Sequence, residues 1–112
     1  KQGRQAITEL GKVLAENPKI AVLIEGHTDN VSFSGNGQIS NNWDLSTKRA
    51  TAIISILSEN SSIKLENLTA AGRSEYSPIN SNETIEGKAK NRRIEVILTP
   101  KLDEISKLLN SK

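Results

Sequence analysis

The stretch that most constrains this chain runs from Ile20 to Arg49. It begins with an unbroken apolar run, Ile20-Ala21-Val22-Leu23-Ile24, and passes through Glu25 into Gly26-His27-Thr28-Asp29-Asn30. Five apolar residues without alternation predict a strand buried on both faces. Gly26 predicts its end, where the backbone must turn closely. A polar segment from Thr28 to Asn42 follows, with Gly35 and Gly37 inside it and only Val31, Phe33 and Ile39 able to pack. A loop of that length inside a small domain is more often functional than not. Asn41 or Asn42 then offers an N-cap for a helix, whose core face is Ala50, Ile53, Ile54 and Leu57. Strand end, loop and helix start is where open α/β sheets place ligands.

That place carries a carboxylate, Asp29, and a guanidinium, Arg49. Asn42, Leu45 and Arg49 stand at i, i+3 and i+7 and so share one stripe near the helix start. An Asp and an Arg facing one space suit a zwitterion: the carboxylate accepts from an ammonium, and the guanidinium grips a carboxylate as a fork. Backbone N–H groups at the helix start add donors for an anion. The same spacing also suits an Asp29–Arg49 salt bridge that merely closes the loop.

The remaining chain reads as one small α/β domain spanning 1–112, with a core over 1–99 and a C-terminal helix over 100–112. Residues 6–14 form an amphipathic helix with Ala6, Leu10, Val13 and Leu14 on one stripe and Ile7 at its edge, stopped by Asn17 and Pro18. Residues 68–72 form a second strand, and residues 75–83, with Pro78, form a loop. Residues 84–91 form a short helix capped by Asn82 or Thr84. Residues 93–98 alternate, with Ile94, Val96 and Leu98 on one face, which predicts an antiparallel or edge strand with one wetter side. Pro100 breaks it. Leu102, Ile105, Leu108 and Leu109 define the last amphipathic helix, most simply a core-facing one.

Composition limits the function classes. The 112 residues contain no cysteine, which removes disulfides and thiolate zinc sites. No apolar run approaches the roughly 20 residues that span a bilayer. No signal peptide is visible, and the helical start suggests an excised domain whose address lay upstream. A formal net charge of +2 is too small to imply nucleic acid. Lys88, Lys90, Arg92 and Arg93 form the densest basic cluster, but the aromatic residues Phe33, Trp43 and Tyr76 lie elsewhere. Trp43 reads as a packing residue at the helix start. His27 is the sole histidine and lacks a carboxylate at helical metal spacing, so it reads as a structural group capping the turn. A Ser46-His27-Asp29 triad has no nucleophile elbow to support it. No metal, cofactor or enzymatic activity is expected.

Three blocks in order carry a resemblance: IEGHTDN at 24–30, NWDLSTKRA at 42–50 and NETIEGKAKNRRIEV at 82–96. They are similar to the OmpA-like peptidoglycan-binding domain shared by outer-membrane proteins, peptidoglycan-associated lipoproteins and the flagellar stator protein MotB. The Asn-Trp-Asp-Leu-Ser leans towards the MotB-like members. The resemblance implies a β/α/β/α/β sandwich, a mixed sheet with helices packed on it, from which the first family strand is absent here. It implies a periplasmic domain of an outer-membrane protein or lipoprotein, attached to the membrane only through other parts of its parent. Its partner would be the peptidoglycan stem peptide, bound noncovalently through its diamino acid, usually diaminopimelate, as a cell-wall anchor. Asp29 and Arg49 match the pocket pair, Asn42 and Leu45 flank them, and Thr28 and Asn30 belong to the first block. Asn91, with Arg92 or Arg93, would border the pocket. The alternative is an envelope interaction domain of the same fold without wall binding. Two departures stand out: Ala71-Gly72-Arg73 replaces a frequent Gly-Tyr-Gly, and Lys88 stands where Arg is commoner.

Overall fold

The computed structural model describes residues 2–33, 37 and 39–100. The elements run α1 (Gln2–Ala15), β1 (Ile20–Gly26), α2 (Asn42–Leu57), a 3-10 turn (Leu65–Asn67), β2 (Leu68–Gly72), α3 (Ile85–Asn91) and β3 (Ile94–Pro100). The sheet order is β2-β1-β3, with β1 parallel to β2 and antiparallel to β3. The apolar run is therefore the central strand. The alternating one is an antiparallel edge strand, as its pattern predicts. It continues to Pro100, which pairs with Ile20 at the sheet margin, where a missing N–H costs least. The predicted helix beyond Pro100 lies outside the described residues.

Leu14, Val22, Ile24, Ala50, Leu57 and Ile63 form the buried core, with Ile7, Leu10, Ile53, Ile54, Leu68, Ala70 and Ile94 packed around it. Burying a side chain such as Ile24 contributes about 1.5–3 kcal/mol. Two expectations change here. Among the described residues β1 is buried more fully on one face: Val22 and Ile24 are 2% and 0% exposed, while on the other face Glu25 is buried but Ala21 and Leu23 are half-buried. The crossover from β1 through α2 to β2 covers one side of the sheet, and no described helix covers the other. In α1 the packed stripe is Ile7, Leu10, Gly11 and Leu14, whereas Val13 is exposed. The helix rests on Gly11 because the side chains of Leu57 and Ile63 stand directly over that position.

Glycine at the strand ends brings α2 down onto the sheet. A Cβ at Gly26 would overlap the Ser46 carbonyl oxygen, and one at Gly72 would overlap the Thr47 hydroxyl. This close approach carries the start of α2 to the ends of β1 and β2. Backbone hydrogen bonds then join the segments that leave the sheet there. Thr28 N–H donates to Ser74 O (2.9 Å), Arg73 N–H to Gly26 O (3.0 Å) and His27 N–H to Arg93 O (2.9 Å).

Candidate functional site

α2 starts where Asn41 caps it, its side chain accepting from Asp44 N–H at 2.9 Å. Asn42 follows, buried, and its amide ties the long loop to the helix. Nδ2 donates to Val31 O (3.0 Å), to Glu75 Oε1 (3.2 Å) and, more weakly, to Asp29 O (3.4 Å). Its Oδ1 is buried and has no hydrogen-bond partner among the described residues. Asp29 turns back on its own loop, Oδ1 accepting from Val31 N–H at 3.0 Å. This is the short-range turn that Asp side chains favour. Its other oxygen accepts from Arg92 Nη1 at 2.7 Å.

These residues enclose an open cavity of about 420 Å³, lined by Thr28, Asp29, Asn42, Leu45 and Arg49 on one side, Ile85, Lys88 and Arg92 on the other, and Val31, Ser32 and Phe33 from the loop. The size suits a small ligand. The cavity lies between two helical stripes of the same spacing. Asn42, Leu45 and Arg49 come from α2; Ile85, Lys88 and Arg92 come from α3 and its C-cap. The side chains of Arg49 and Lys88 make no hydrogen bond or ion pair with any described residue. Asp29 does pair, but with Arg92 rather than with Arg49. The loop-closing Asp29–Arg49 salt bridge is therefore absent among the described residues.

Of the residues singled out from sequence, Thr28, Asp29, Asn42, Leu45, Arg49 and Arg92 line this cavity. Asn30, Asn91 and Arg93 stand outside it. Asn30 is exposed. Asn91 is wholly buried and organises the preceding loop: Oδ1 accepts from Ile79 and Asn80 N–H, and Nδ2 donates to Asn80 O and Asn82 Oδ1. Arg93 turns away to Glu95 Oε2 (2.6 Å), Asn91 O (3.3 Å) and Ser77 O (2.9 Å). Lys88, Ile85 and the loop residues Val31, Ser32 and Phe33 are additional lining residues. The i, i+3, i+7 spacing of Ile85, Lys88 and Arg92 was the available signal for the first two.

His27 is buried, its Nε2 3.3 Å from Glu25 Oε1. Pairing of β1 with β3 sets Glu25 opposite Glu95, and the ligating atoms of Glu25, His27 and Glu95 lie within 4.8 Å of one another. Guanidiniums already meet both carboxylates, Arg73 at Glu25 (3.5 Å) and Arg93 at Glu95 (2.6 Å). The hydrogen bond from Arg93 is the main reason the Glu95 carboxyl is held below its ordinary value, with burial opposing it and the charge of Arg93 adding to it. Ser46 does not face His27; its hydroxyl donates to Trp43 O and accepts from Ser74 N–H. Trp43 is not a core residue. It is half exposed and lies against Tyr76, ring centroids 5.4 Å apart.

With this geometry in hand, the sequence profile of the OmpA family matches residues 1–92. The chain belongs to the OmpA family. Motility protein B of Bacillus subtilis is 40% identical over 93 residues, covering 83% of this chain and 35% of that protein. Among solved structures, the C-terminal domain of Helicobacter pylori MotB superposes with a TM-score of 0.82 at 20% identity, over 98% of this chain and 83% of that one. The peptidoglycan-associated lipoprotein from Burkholderia pseudomallei has a TM-score of 0.76 at 23% identity, over 88% and 79%. Other matched relatives include outer-membrane proteins and lipoproteins. This OmpA-family domain spans about a quarter to three fifths of the length of such curated relatives.

Proposed function

We propose that this domain is a noncovalent peptidoglycan-binding module of the periplasmic side of the bacterial envelope. It anchors its parent protein by holding the diamino acid of a stem peptide between Asp29 and Arg49. The observation that carries the reading is the Arg49 guanidinium, paired with no described residue, in the same cavity as the Asp29 carboxylate, whose side chain is 10% exposed. Asp29 receives the ammonium and Arg49 the carboxylate of the free end. Asn42 fixes the loop that carries Asp29 and offers its vacant Oδ1 as an acceptor. Leu45 and Phe33 supply apolar contact for the methylene chain between the charges. Membership of a family whose matched relatives include a motility protein and a peptidoglycan-associated lipoprotein supports the same reading.

The test is sedimentation of Asp29→Ala and Arg49→Ala with insoluble peptidoglycan, alongside thermal unfolding. Each charge-assisted hydrogen bond contributes about 1.5–3 kcal/mol, so each variant should lose roughly ten- to hundredfold in affinity while melting as a folded domain. Pelleting like wild type by both folded variants would overturn the pocket and leave an envelope interaction domain as the reading.

A further inference from the structure

The cavity holds more positive charge than a zwitterion needs. Among the described residues it is lined by one carboxylate, Asp29, and three cations, Arg49, Lys88 and Arg92. A bound diamino-acid end brings one ammonium and one carboxylate, which engage Asp29 and Arg49 and cancel. Once the ammonium competes for Asp29, Arg92 loses its claim on the only carboxylate lining the cavity among the described residues. Lys88 has no described partner to begin with. A ligand that filled this space with neutral groups would strip water from two cations and return nothing. Both surplus cations come from α3 and its C-cap rather than from α2, which carries Arg49, so compensation comes from a separate anionic group of the ligand.

Resting on the function proposed above, we propose that Lys88 and Arg92 make this site selective for stem peptides that carry a free carboxylate beyond the one held by Arg49, and so select against peptides whose carboxyls are amidated. Arg92 acts as an exchanging partner. It neutralises Asp29 in the empty pocket and turns to the ligand's second carboxylate when the ammonium arrives. Its side chain is 43% exposed, which leaves it the freedom to do so.

The experiment is titration calorimetry with two synthetic peptides, alanyl-γ-glutamyl-diaminopimelate blocked as an amide at the diaminopimelate carboxyl remote from the free amine, with the glutamyl α-carboxyl free in one and amidated in the other. Wild type should bind the free acid at least tenfold more tightly than the amide. In Lys88→Gln/Arg92→Gln, with melting checked to be that of a folded domain, the two peptides should bind within about threefold of each other. Lys88→Gln alone, which leaves the Asp29–Arg92 pair in place, should fall between. Equal binding of both peptides by wild type, with Asp29→Ala abolishing it, overturns the selectivity alone, as does tenfold discrimination that persists in the double variant. Binding of neither peptide by wild type, or full affinity in Asp29→Ala, overturns the pocket reading and the selectivity together.

Discussion

Arg92 and Arg93 are neighbours in sequence and opposites in structure. Arg92, the C-cap of α3, reaches Asp29 across an open cavity and stays 43% exposed. Arg93 is 15% exposed and spends its donors on Glu95, Asn91 O and Ser77 O. Around Arg93, the two carboxylates of Glu25 and Glu95 meet the two guanidiniums of Arg73 and Arg93, with His27 between them. Around Arg92, among the described residues, one carboxylate faces three cations. The first cluster is balanced and closed; the second is open and short of negative charge. Both contain histidine, acid or arginine from the same short motifs, so residue type does not separate them. What separates them is whether the charges are already satisfied within the fold. Unsatisfied charge in a cavity is what a ligand can supply.

The largest effect expected is one that removes both regions at once. Gly26→Ala would drive a methyl group into the Ser46 carbonyl, where backbone on both sides cannot yield. It should cost about 3 kcal/mol or more, measurable by urea unfolding, with wall binding lost in proportion to the folded fraction. Near-wild-type stability would mean that α2 does not hold both clusters to the end of β1.

A sharper cut compares the neighbours themselves. Arg93→Ala leaves a carboxylate and two carbonyls without their donor, and should lower stability by about 2–3 kcal/mol, while the folded protein still pellets with peptidoglycan. Arg92→Ala removes a part-exposed ion pair and should change stability by less than about 1 kcal/mol. Unfolding curves of the two variants, run side by side, decide it. The reverse order, or loss of pelleting in a fully folded Arg93→Ala, would break the distinction drawn between them.

The smallest effect concerns acid. The Glu95 carboxyl is held below its ordinary value of 4.5 by the Arg93 hydrogen bond. A carboxyl lowered on folding contributes stability above its unfolded value, and that contribution disappears as pH falls through the folded value. Wild type should therefore exceed Glu95→Gln in stability at pH 7, and the gap should close as pH drops below 4.5 and onward. Because the Glu95 side chain is 40% exposed, solvent screens the pair and the gap should stay within about 1 kcal/mol. A gap that widens in acid would contradict the assignment.

Much of this arrangement was legible in the chain itself. The apolar run Ile20–Ile24, the alternation over 94–98, the helix caps (narrowed to Asn41 or Asn42 and to Asn82 or Thr84) and the Asn42-Leu45-Arg49 stripe are local patterns, because backbone geometry and side-chain period act over a few residues. They determined the elements, the central and edge strands and one wall of the cavity. The tertiary structure alone decided the rest. Alternation puts Arg92 and Arg93 on different sides, but only the register of β3 against β1 says which one meets Asp29. The same register sets Glu25 beside Glu95 and makes His27 part of a closed cluster. The unequal burial of the two faces of β1 among the described residues was also out of reach. An apolar run records that a strand is buried, not how many layers bury it, and that depends on where helices far along the chain come to rest.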